Sequence, residues 1–317
     1  MRKAIPKIFR KILYRGYVRL NHLIGFTEKF GIKNPDAPLP FKPVFIIGPP
    51  RTGSTLLYQC LTTRYKFAYL SNLHCLMFGA PWLVEYLTHP SEHYPGSNFS
   101  SDHGSTRGLY SPSECGEFWY RFFRRHPQYI PTEEADSNNM KKMRYAFHAL
   151  LKAGQKPYIF KNLPCALRIG PLHQTLPESV FIVINRDELD TAQSILLSRE
   201  KKFGDYSTWY SLEPPEIKAL KKEPIHIQAT EQVRSIYKLI KRYEDTIGSE
   251  YFHHVSYQDL CRDPEQTCQN IRDFLRDHQI NLADRYELPE YFQAQSKTQK
   301  VNESLYQQMK FYADKTK

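Results

Sequence analysis

Short apolar runs recur along the chain and predict the strands of a sheet. They are bounded by turn residues and lie at 44–48, 67–70, 158–161, 179–185 and 251–257. Apolar runs of this length, separated by longer amphipathic segments, are typical of parallel strands that are buried on both faces. We therefore expect an α/β fold with three layers, in which a central, mostly parallel five-stranded sheet has helices on both faces.

Longer segments repeat apolar residues at the spacing of a helix. The helices predicted in this way cover 53–64, 113–123, 138–151 and 230–246. A further helix is expected to begin at Pro264, with Asp263 as its N-cap, because these residue types are favoured at these two positions. No internal repeat or low-complexity segment divides the chain, so we expect residues 36–317 to form a single α/β domain.

The first 26 residues differ from the rest, because they contain seven Lys or Arg residues and no acidic residue. Apolar residues recur at helical spacing among them, at Ile5, Ile8, Phe9, Ile12 and Leu13. We expect residues 1–35 to contain a basic amphipathic helix. The pattern is typical of a helix on an anionic bilayer, but also of a basic helix that packs on the domain or binds a partner.

The polar turn after the first strand has the composition of a phosphate-binding loop. The segment from Val44 to Leu57 reads VFIIGPPRTGSTLL. Gly48 and Gly53 allow the backbone to turn and direct its N–H groups at an anion, and Arg51 adds a fixed positive charge. The spacing is close to that of the P-loop, but Ser54 occupies the position of the P-loop Lys, which contacts the β- and γ-phosphates. This difference disfavours a nucleoside triphosphate.

Two later strands also end in a cation. Lys161 ends the run at 158–161, and Arg186 follows the run at 179–185, with Ser194 eight residues further on. Because the carboxyl ends of parallel strands share one edge of the sheet, these side chains can face one anion there. The alternative for Arg186 is a local ion pair with Asp187 or Glu188.

Charge and composition narrow the set of partners. The chain has 44 Lys and Arg residues against 33 Asp and Glu, a formal charge of +11, which favours an anionic ligand or surface. No nucleic-acid-binding motif accompanies this charge, so we do not expect nucleic acid as a partner. Six cysteines without a CxxC pair, and histidines without a ligand spacing, predict reduced core cysteines and no bound metal. No run of 18 apolar residues and no signal-peptide pattern occurs, so we expect a cytoplasmic protein with potential membrane association.

Three segments in the same order resemble the sulfotransferases that use 3′-phosphoadenosine 5′-phosphosulfate (PAPS). GPPRTGSTLL at 48–57 resembles their 5′-phosphosulfate loop, and VFIVINRDELDTAQS at 180–194 resembles their 3′-phosphate motif. VSYQDLCRDPEQT at 255–267 is a weaker match. The resemblance implies a P-loop-like sulfotransferase fold and in-line transfer of a sulfuryl group from PAPS to a hydroxyl or amine, with 3′-phosphoadenosine 5′-phosphate (PAP) as the product and no metal.

The resemblance also implies roles for individual residues. Arg186 and Ser194 would bind the 3′-phosphate, Tyr257 would lie near the adenine, and Lys161 would contact the sulfuryl group. The 5′-phosphosulfate would be held by Arg51, Thr52, Gly53, Ser54 and Thr55. Cations beside the bridging oxygen lower the barrier most, because negative charge grows there during transfer. Arg51 and Lys161 are therefore expected to be catalytic. Apart from the resemblance, the basic C-terminal segment with Lys297 and Lys300 is expected either to fold over a ligand or to fray.

The motifs do not identify the residue that acts as the general base. The family motif KTHLP has a His that is absent here, because Asn162 and Leu163 follow Lys161. His74, after the second predicted strand, is our first candidate, and Glu114 is the second. His103 and Glu117 are the other two candidates.

The acceptor is not encoded in a recognisable motif. Aromatic residues make up 14% of the chain, which suits a carbohydrate, a lipid or another small metabolite. The alternative function is a P-loop-type nucleotide-binding protein or a kinase that uses ATP. The absent Lys and the lack of a Walker-B Asp after the strand at 179–185 disfavour it.

Overall fold

Parallel strands form the centre of the fold in a computed structural model that describes residues 7–30, 32, 34–100, 106–294 and 299–316, with side chains from residue 13 on. Within these residues the sheet has four strands in the order β2-β1-β3-β4, and every pairing is parallel. The strands are β1 (Val44–Ile47), β2 (Ile159–Lys161), β3 (Val180–Asn185) and β4 (Phe252–Ser256). The predicted α/β class is confirmed, but the number of strands is four and not five.

The segment at 67–70 is the predicted strand that does not form. It makes one isolated parallel bridge, between Ala68 and Tyr158, beside the short strand β2. On one side of it, Lys66 N donates to the carbonyl of Ala283 at 2.9 Å. On the other side, Ser71 forms an antiparallel bridge with Pro112. Because the flanking residues pair with these other segments, only one residue of the run stays in register with the sheet.

Each face of the sheet carries its own apolar core. Phe45 stacks between Phe160 and Phe181 on one face, with ring centroids 5.5 and 5.7 Å apart, and Phe147 of a covering helix packs on the same side. On the other face, Ile46 and its neighbours pack against helix residues, including Leu57 and Leu61. Alternate side chains of a strand point to opposite faces, so the two cores produce the predicted three layers.

The helices connect and cover the strands. They are α1 (Lys7–Ile24), α2 (Ser54–Arg64), α3 (Asn72–Leu76), α4 (Pro81–Thr88), α5 (Gly116–Trp119), α6 (Ser137–Gly154), α7 (Ile169–Thr175), α8 (Glu188–Phe203), α9 (Ile217–Leu220), α10 (Ile225–Ile247), α11 (Tyr257–Arg262), α12 (Pro264–Asp277) and α13 (Glu303–Lys315). Short 3₁₀ helices lie at Gly25–Lys29, Thr132–Glu134, Leu163–Leu167 and Ser249–Tyr251. The predicted cap of α12 is confirmed, since the carboxylate of Asp263 accepts the N–H of Gln266 at 2.9 Å.

The helix predicted over 113–123 is wrong over most of its length, because α5 spans only Gly116–Trp119. Phe118, Trp119 and Phe122 are all buried in the core. Their spacing in the sequence matches that of a helix, although most of the segment is not helical. Cys115 has a φ of 44°, which prevents α5 from extending towards Glu114. Glu114 therefore lies in an irregular segment before the helix.

Helix α10 begins five residues earlier than predicted, directly after Pro224. Its first turns bury two glutamines, Gln228 and Gln232, and their side-chain oxygens accept hydrogen bonds from the buried Arg199 at 2.9 and 3.2 Å. Buried polar residues are invisible to a search for apolar periodicity, which explains the late predicted start.

Helix α1 lies against the domain. Tyr17 donates its hydroxyl to the carbonyl of Leu76 at 2.8 Å, and Asn21 Oδ1 accepts the N–H of Gly79 at 2.9 Å. A Cβ on Gly79 would lie 1.7 Å from the carbonyl oxygen of Asn21, so only glycine allows this approach. No described helix is long and apolar enough to cross a membrane. Ile5 lies outside the described residues, and the division into residues 1–35 and 36–317 stays a prediction.

Candidate active site

The turn between β1 and α2 has a conformation that depends on glycine. Gly53 has a φ of +93°, and a Cβ there would lie 2.4 Å from Cδ2 of Tyr257. Thr52 closes the turn from inside by donating its hydroxyl to the carbonyl of Pro49 at 2.8 Å. As the N-cap of α2, Gly53 has no side chain to occupy the helix's first N–H groups. Together with the buried hydroxyl of Ser54, these groups can bind an anion.

The structure brings Arg51, Arg186 and Ser194 together, as predicted. Arg51 Nε donates to Ser194 Oγ at 3.2 Å, and Arg186 Nη1 donates to the carbonyl of Arg51 at 2.9 Å. The guanidinium of Arg186 lies 4.4 Å from the centre of the Tyr257 ring. The turn after β1, the segment after β3 and the start of α11 thus meet at one edge of the sheet.

The acids that could have formed a local ion pair with Arg186 have other partners. Asp187 caps α8 by accepting the N–H of Asp190 at 2.9 Å. Glu188 accepts a hydrogen bond from Arg234 Nε at 2.6 Å. Both neighbouring acids therefore have partners other than Arg186.

Sequence reasoning missed Tyr237 as a support of Arg186. The backbone N–H of Arg186 donates to the Tyr237 hydroxyl at 3.1 Å, and this hydroxyl donates to the carbonyl of Ile184 at 3.0 Å. Burial raises the pKa of Tyr237, so the hydroxyl stays protonated. The only signal in the sequence was the position of Tyr237 on the inward face of α10.

Lys300 brings a third positive charge to this edge from the C-terminal segment. Its backbone N–H donates to Oε1 of Gln193 at 2.8 Å. Burial and the neighbouring charge of Arg186 lower the pKa of Lys300, and Arg51 adds to this effect while Asp190 opposes it. A lysine whose pKa is lowered by burial and by neighbouring cations is typical of a site that binds an anion. Lys297 lies outside the described residues.

Lys161 is the centre of a second group at the end of β2. Its side chain is 3% exposed, and Nζ donates to Thr55 Oγ1 at 3.0 Å. Nζ also forms a close ion pair with the carboxylate of Glu114. The other oxygen of Glu114 lies 3.4 Å from the N–H of Leu163. Thr55 belongs to the first turn of α2, so this pair adjoins the candidate phosphate loop.

His74 is buried, and both of its ring nitrogens lie near other buried groups. It lies in the short helix α3, where its Nδ1 accepts the N–H of Ser71 at 3.0 Å in a capping box. Its Nε2 lies 3.3 Å from a carboxylate oxygen of Glu85, which is also fully buried. An acceptor can reach this ring only if the packing around α3 opens.

The other predicted bases differ in their surroundings. Glu117 accepts hydrogen bonds from Arg125 Nη2 at 2.6 Å and from the Tyr14 hydroxyl at 2.8 Å. His103 lies outside the described residues. Of the described candidates, Glu114 is the one that contacts Lys161.

Tyr210 is a further residue that the sequence did not reveal. Burial raises the pKa of its hydroxyl, and the charges of Arg51 and Glu114 also act on it in opposite directions. Tyr210 therefore lies close to both candidate catalytic groups. The one available signal was the aromatic pair of Trp209 and Tyr210 in a polar loop. No group of three potential metal ligands occurs among the described residues.

The chain is similar to known sulfotransferases in sequence and in fold. The sequence model of the sulfotransferase family matches residues 43–277, and the chain belongs to this family. The family transfers sulfuryl groups, so the protein is a transferase.

Individual relatives are distant. The omega-hydroxy-beta-dihydromenaquinone-9 sulfotransferase Stf3 of Mycobacterium tuberculosis is 21% identical over 313 residues, which cover 87% of this chain and 78% of the relative. The crystal structure of sulfotransferase STF9 from Mycobacterium avium aligns with a TM-score of 0.53 at 16% identity, over 96% of this chain and 74% of that chain. For sulfotransferase STF1 from Mycobacterium tuberculosis the TM-score is 0.51 at 16% identity, over 86% and 77%. These two structural similarities concern the fold.

Proposed function

We propose that the protein transfers a sulfuryl group from PAPS to a hydroxyl group of a small-molecule acceptor. The observation that carries the proposal is the contact between Arg51 and Ser194, together with the hydrogen bond from Arg186 to the Arg51 carbonyl. These contacts join two loops, one suited to a 5′-phosphosulfate and one suited to a 3′-phosphate. PAPS carries both groups and has no γ-phosphate, which agrees with Ser54 at the position of the P-loop Lys.

The donor would bind along the edge of the sheet. The oxygens of its 5′-phosphosulfate would accept hydrogen bonds from the N–H groups at the start of α2. They would also contact the side chains of Arg51, Thr52, Ser54 and Thr55, and Gly53 would allow the turn. Its 3′-phosphate would bind Arg186 and Ser194, and Lys300 would add a third cation. Tyr257, which packs against both Gly53 and Arg186, would border the adenosine.

The chemistry requires one bond to form and one to break at sulfur. The acceptor oxygen attacks the sulfur, the bond from sulfur to the bridging phosphosulfate oxygen breaks, and PAP leaves. Negative charge develops on that bridging oxygen, and Lys161 and Arg51 stabilise it. The acceptor proton must be removed as the new bond forms.

We assign the proton transfer to Glu114 rather than to His74, our first candidate from the sequence. Glu114 contacts Lys161, whereas the ring of His74 is fully buried against Ser71 and Glu85. A base must lie within hydrogen-bonding distance of the acceptor hydroxyl, and Lys161 marks where the sulfuryl group would be. The charges of Arg51 and Glu114 both act on the hydroxyl of Tyr210, whose pKa is raised chiefly by burial.

For the acceptor we propose a lipid alcohol. The curated relative Stf3 acts, by its name, on a hydroxylated menaquinone, which is a lipid. We also propose that the N-terminal helix makes peripheral membrane contact, which would give access to such an acceptor. A transfer screen with labelled PAPS over lipid, glycan and phenolic fractions tests the class. Label transfer only to glycans or phenols would contradict a lipid acceptor without affecting the assignment of the donor.

Calorimetry with PAP and with Mg-ATP tests the donor. We expect PAP to bind tightly and ATP weakly, because the loop has no Lys for a γ-phosphate. Arg186→Ala should weaken PAP binding by on the order of tenfold to a hundredfold, since it removes a charge-assisted contact to phosphate. The matched control is Arg262→Ala, an exposed arginine at the end of α11. Tight ATP binding without PAP binding would overturn the proposal in favour of an ATP-dependent protein.

A further inference from the structure

The outward face of α1 carries an apolar strip beside a basic strip. Leu20 and Leu23 are 57% and 68% exposed, and Leu13 lies on the same strip about two to three turns earlier. Arg15 and Arg19, spaced four residues apart, follow the adjacent strip. The inward face of α1 contacts the domain. The outward face, with its apolar and basic strips, is exposed in the part of the chain that the structure describes.

The apolar strip continues beyond the helix. Phe26 and Phe30 follow α1, are 60% and 70% exposed, and contact each other edge to face with ring centroids 5.6 Å apart. Apolar side chains exposed to this extent in one contiguous segment are uncommon on a monomer that has no docking surface. Exposed aromatic rings beside an amphipathic helix are typical of side chains that insert between lipid headgroups.

A basic cleft opens next to this surface, between the segment after α1 and helix α6. It has a volume of about 290 Å³ and is lined by His22, Gly25, Phe26, Lys29, Lys142 and Tyr145. Of its two lysines, Lys29 belongs to the segment after α1 and Lys142 to helix α6.

The acidic residues near this surface are neutralised by arginines. The carboxylate of Glu28 at the base of the cleft is buried in a bidentate ion pair with Arg121. The carboxylate of Glu117 pairs with Arg125. The net charge of the cleft and of the basic strip is therefore positive, and complements anionic phosphate groups.

We propose that this surface docks the protein on an anionic phospholipid bilayer. The side chains of Leu13, Leu20, Leu23, Phe26 and Phe30 enter the interface, and a lipid phosphate group occupies the cleft between Lys29 and Lys142. An amphipathic surface with adjacent basic groups binds bilayers through apolar burial and attraction to anionic headgroups, so both features contribute.

Helix α1 is connected to the candidate active site through one hydrogen bond and a short stretch of chain. Tyr14 of α1 donates to Glu117 at 2.8 Å, and Glu117 lies three residues after Glu114. Docking of α1 would therefore hold the Glu114–Lys161 group near the bilayer surface, where a lipid alcohol presents its hydroxyl. The binding itself does not depend on the proposed transfer reaction, and its test uses neither donor nor acceptor.

Co-sedimentation of the full chain with vesicles tests the proposal. We expect binding to phosphatidylcholine vesicles that contain phosphatidylglycerol, weaker binding at high salt, and little binding to phosphatidylcholine alone. The double variant Lys29→Glu/Lys142→Glu should weaken binding by on the order of tenfold or more, because each basic residue near the surface contributes to the attraction. Lys141→Glu/Lys152→Glu, which makes the same charge change on another strip of α6, is the matched control.

The apolar strip is tested in the same assay. Leu20→Gln/Leu23→Gln should reduce binding to the anionic vesicles by on the order of tenfold, whereas Phe311→Gln on α13, which is 70% exposed, should not. Melting temperatures identify variants that fail to fold. If the two double lysine variants lost vesicle binding equally, the cleft would not be the phosphate site. If the wild type bound both kinds of vesicle equally, the proposed preference for anionic lipid would be wrong.

Discussion

At the scale of single residues, the contact between Glu114 and Lys161 decides how the site can work. The cation is buried at the end of β2, and its ammonium group bridges the carboxylate and the Thr55 hydroxyl. In the proposed reaction, this pair would supply a positive charge for the leaving group and a carboxylate for the acceptor proton. The sequence suggested both residues, but ranked His74 above Glu114 because a histidine followed the second apolar run.

Glu114→Gln should lower kcat by about 10²- to 10⁴-fold, the usual contribution of a general base, while the affinity for PAP stays within a few-fold. Steady-state sulfate transfer and calorimetry measure the two effects. Glu117→Gln is the control, because it removes a carboxylate that is bound to Arg125 and Tyr14. Near-full activity in Glu114→Gln would exclude Glu114 as the base.

His74→Ala should act on stability instead of on catalysis. It removes the capping box of α3 and leaves the buried Glu85 without its neighbour, so we expect the free energy of unfolding to fall by about 2–4 kcal/mol. Denaturant unfolding measures this loss, and kcat per folded molecule should stay within a few-fold. A large loss of kcat at unchanged stability would instead return the role of base to His74.

Lys300 predicts a pH dependence of donor binding. Burial and Arg186 lower the pKa of Lys300 below its ordinary value of 10.5, and a bound phosphate group would raise it again. Binding of PAP should therefore take up protons at alkaline pH below 10.5, and the affinity should fall as the pH rises through the lowered pKa. Calorimetry in two buffers of different ionisation enthalpy measures the uptake. Lys300→Met should abolish it, and an unchanged uptake in this variant would assign the effect to another group.

At the scale of elements, the conformation of the turn between β1 and α2 matters as much as its side chains. Gly53 adopts a positive φ and also lies against Tyr257 of α11, so the turn and the C-terminal part of the sheet are fitted to each other. The P-loop-like spacing was visible in the sequence. The contact with Tyr257 was not, because the two residues are about 200 positions apart in the chain.

Gly53→Ala should destabilise the fold by about 2–4 kcal/mol and weaken PAP binding at least about tenfold, because the methyl group collides with the Tyr257 ring in addition to the cost of a positive φ. Gly204→Ala is a matched control. Gly204 also has a positive φ, of 82°, but has nothing within 4 Å of the added carbon. It should lose only about 1–2 kcal/mol and keep its affinity for PAP. Equal effects of the two substitutions on PAP binding would contradict a fitted turn.

At the scale of the whole molecule, the proposed donor site is built from parts that are distant in the chain. The turn after β1, the segment after β3, the start of α11 and Lys300 all meet at one edge of the sheet. A ligand that contacts all of these parts stabilises the folded chain as a unit, because the unfolded chain does not bind it.

PAP at about 100 times its Kd should add about 2.7 kcal/mol to the free energy of unfolding and raise Tm by roughly 4 °C for a chain of this size. Differential scanning calorimetry measures the shift. Mg-ATP at the same concentration should produce a much smaller shift. A larger shift with ATP than with PAP would contradict the donor assignment.

The sequence by itself determined the α/β class, the position of the glycine-rich turn after β1 and the positions of Arg186 and Ser194 around the start of α8. These features are local, since strands, turns and helix starts depend on neighbouring residues. Only the tertiary structure decided that the run at 67–70 is not a strand, that His74 is buried and that Glu114 contacts Lys161. Each of these outcomes depends on which distant segment competes for a backbone group or a side chain, and apolar periodicity carries no information about that competition.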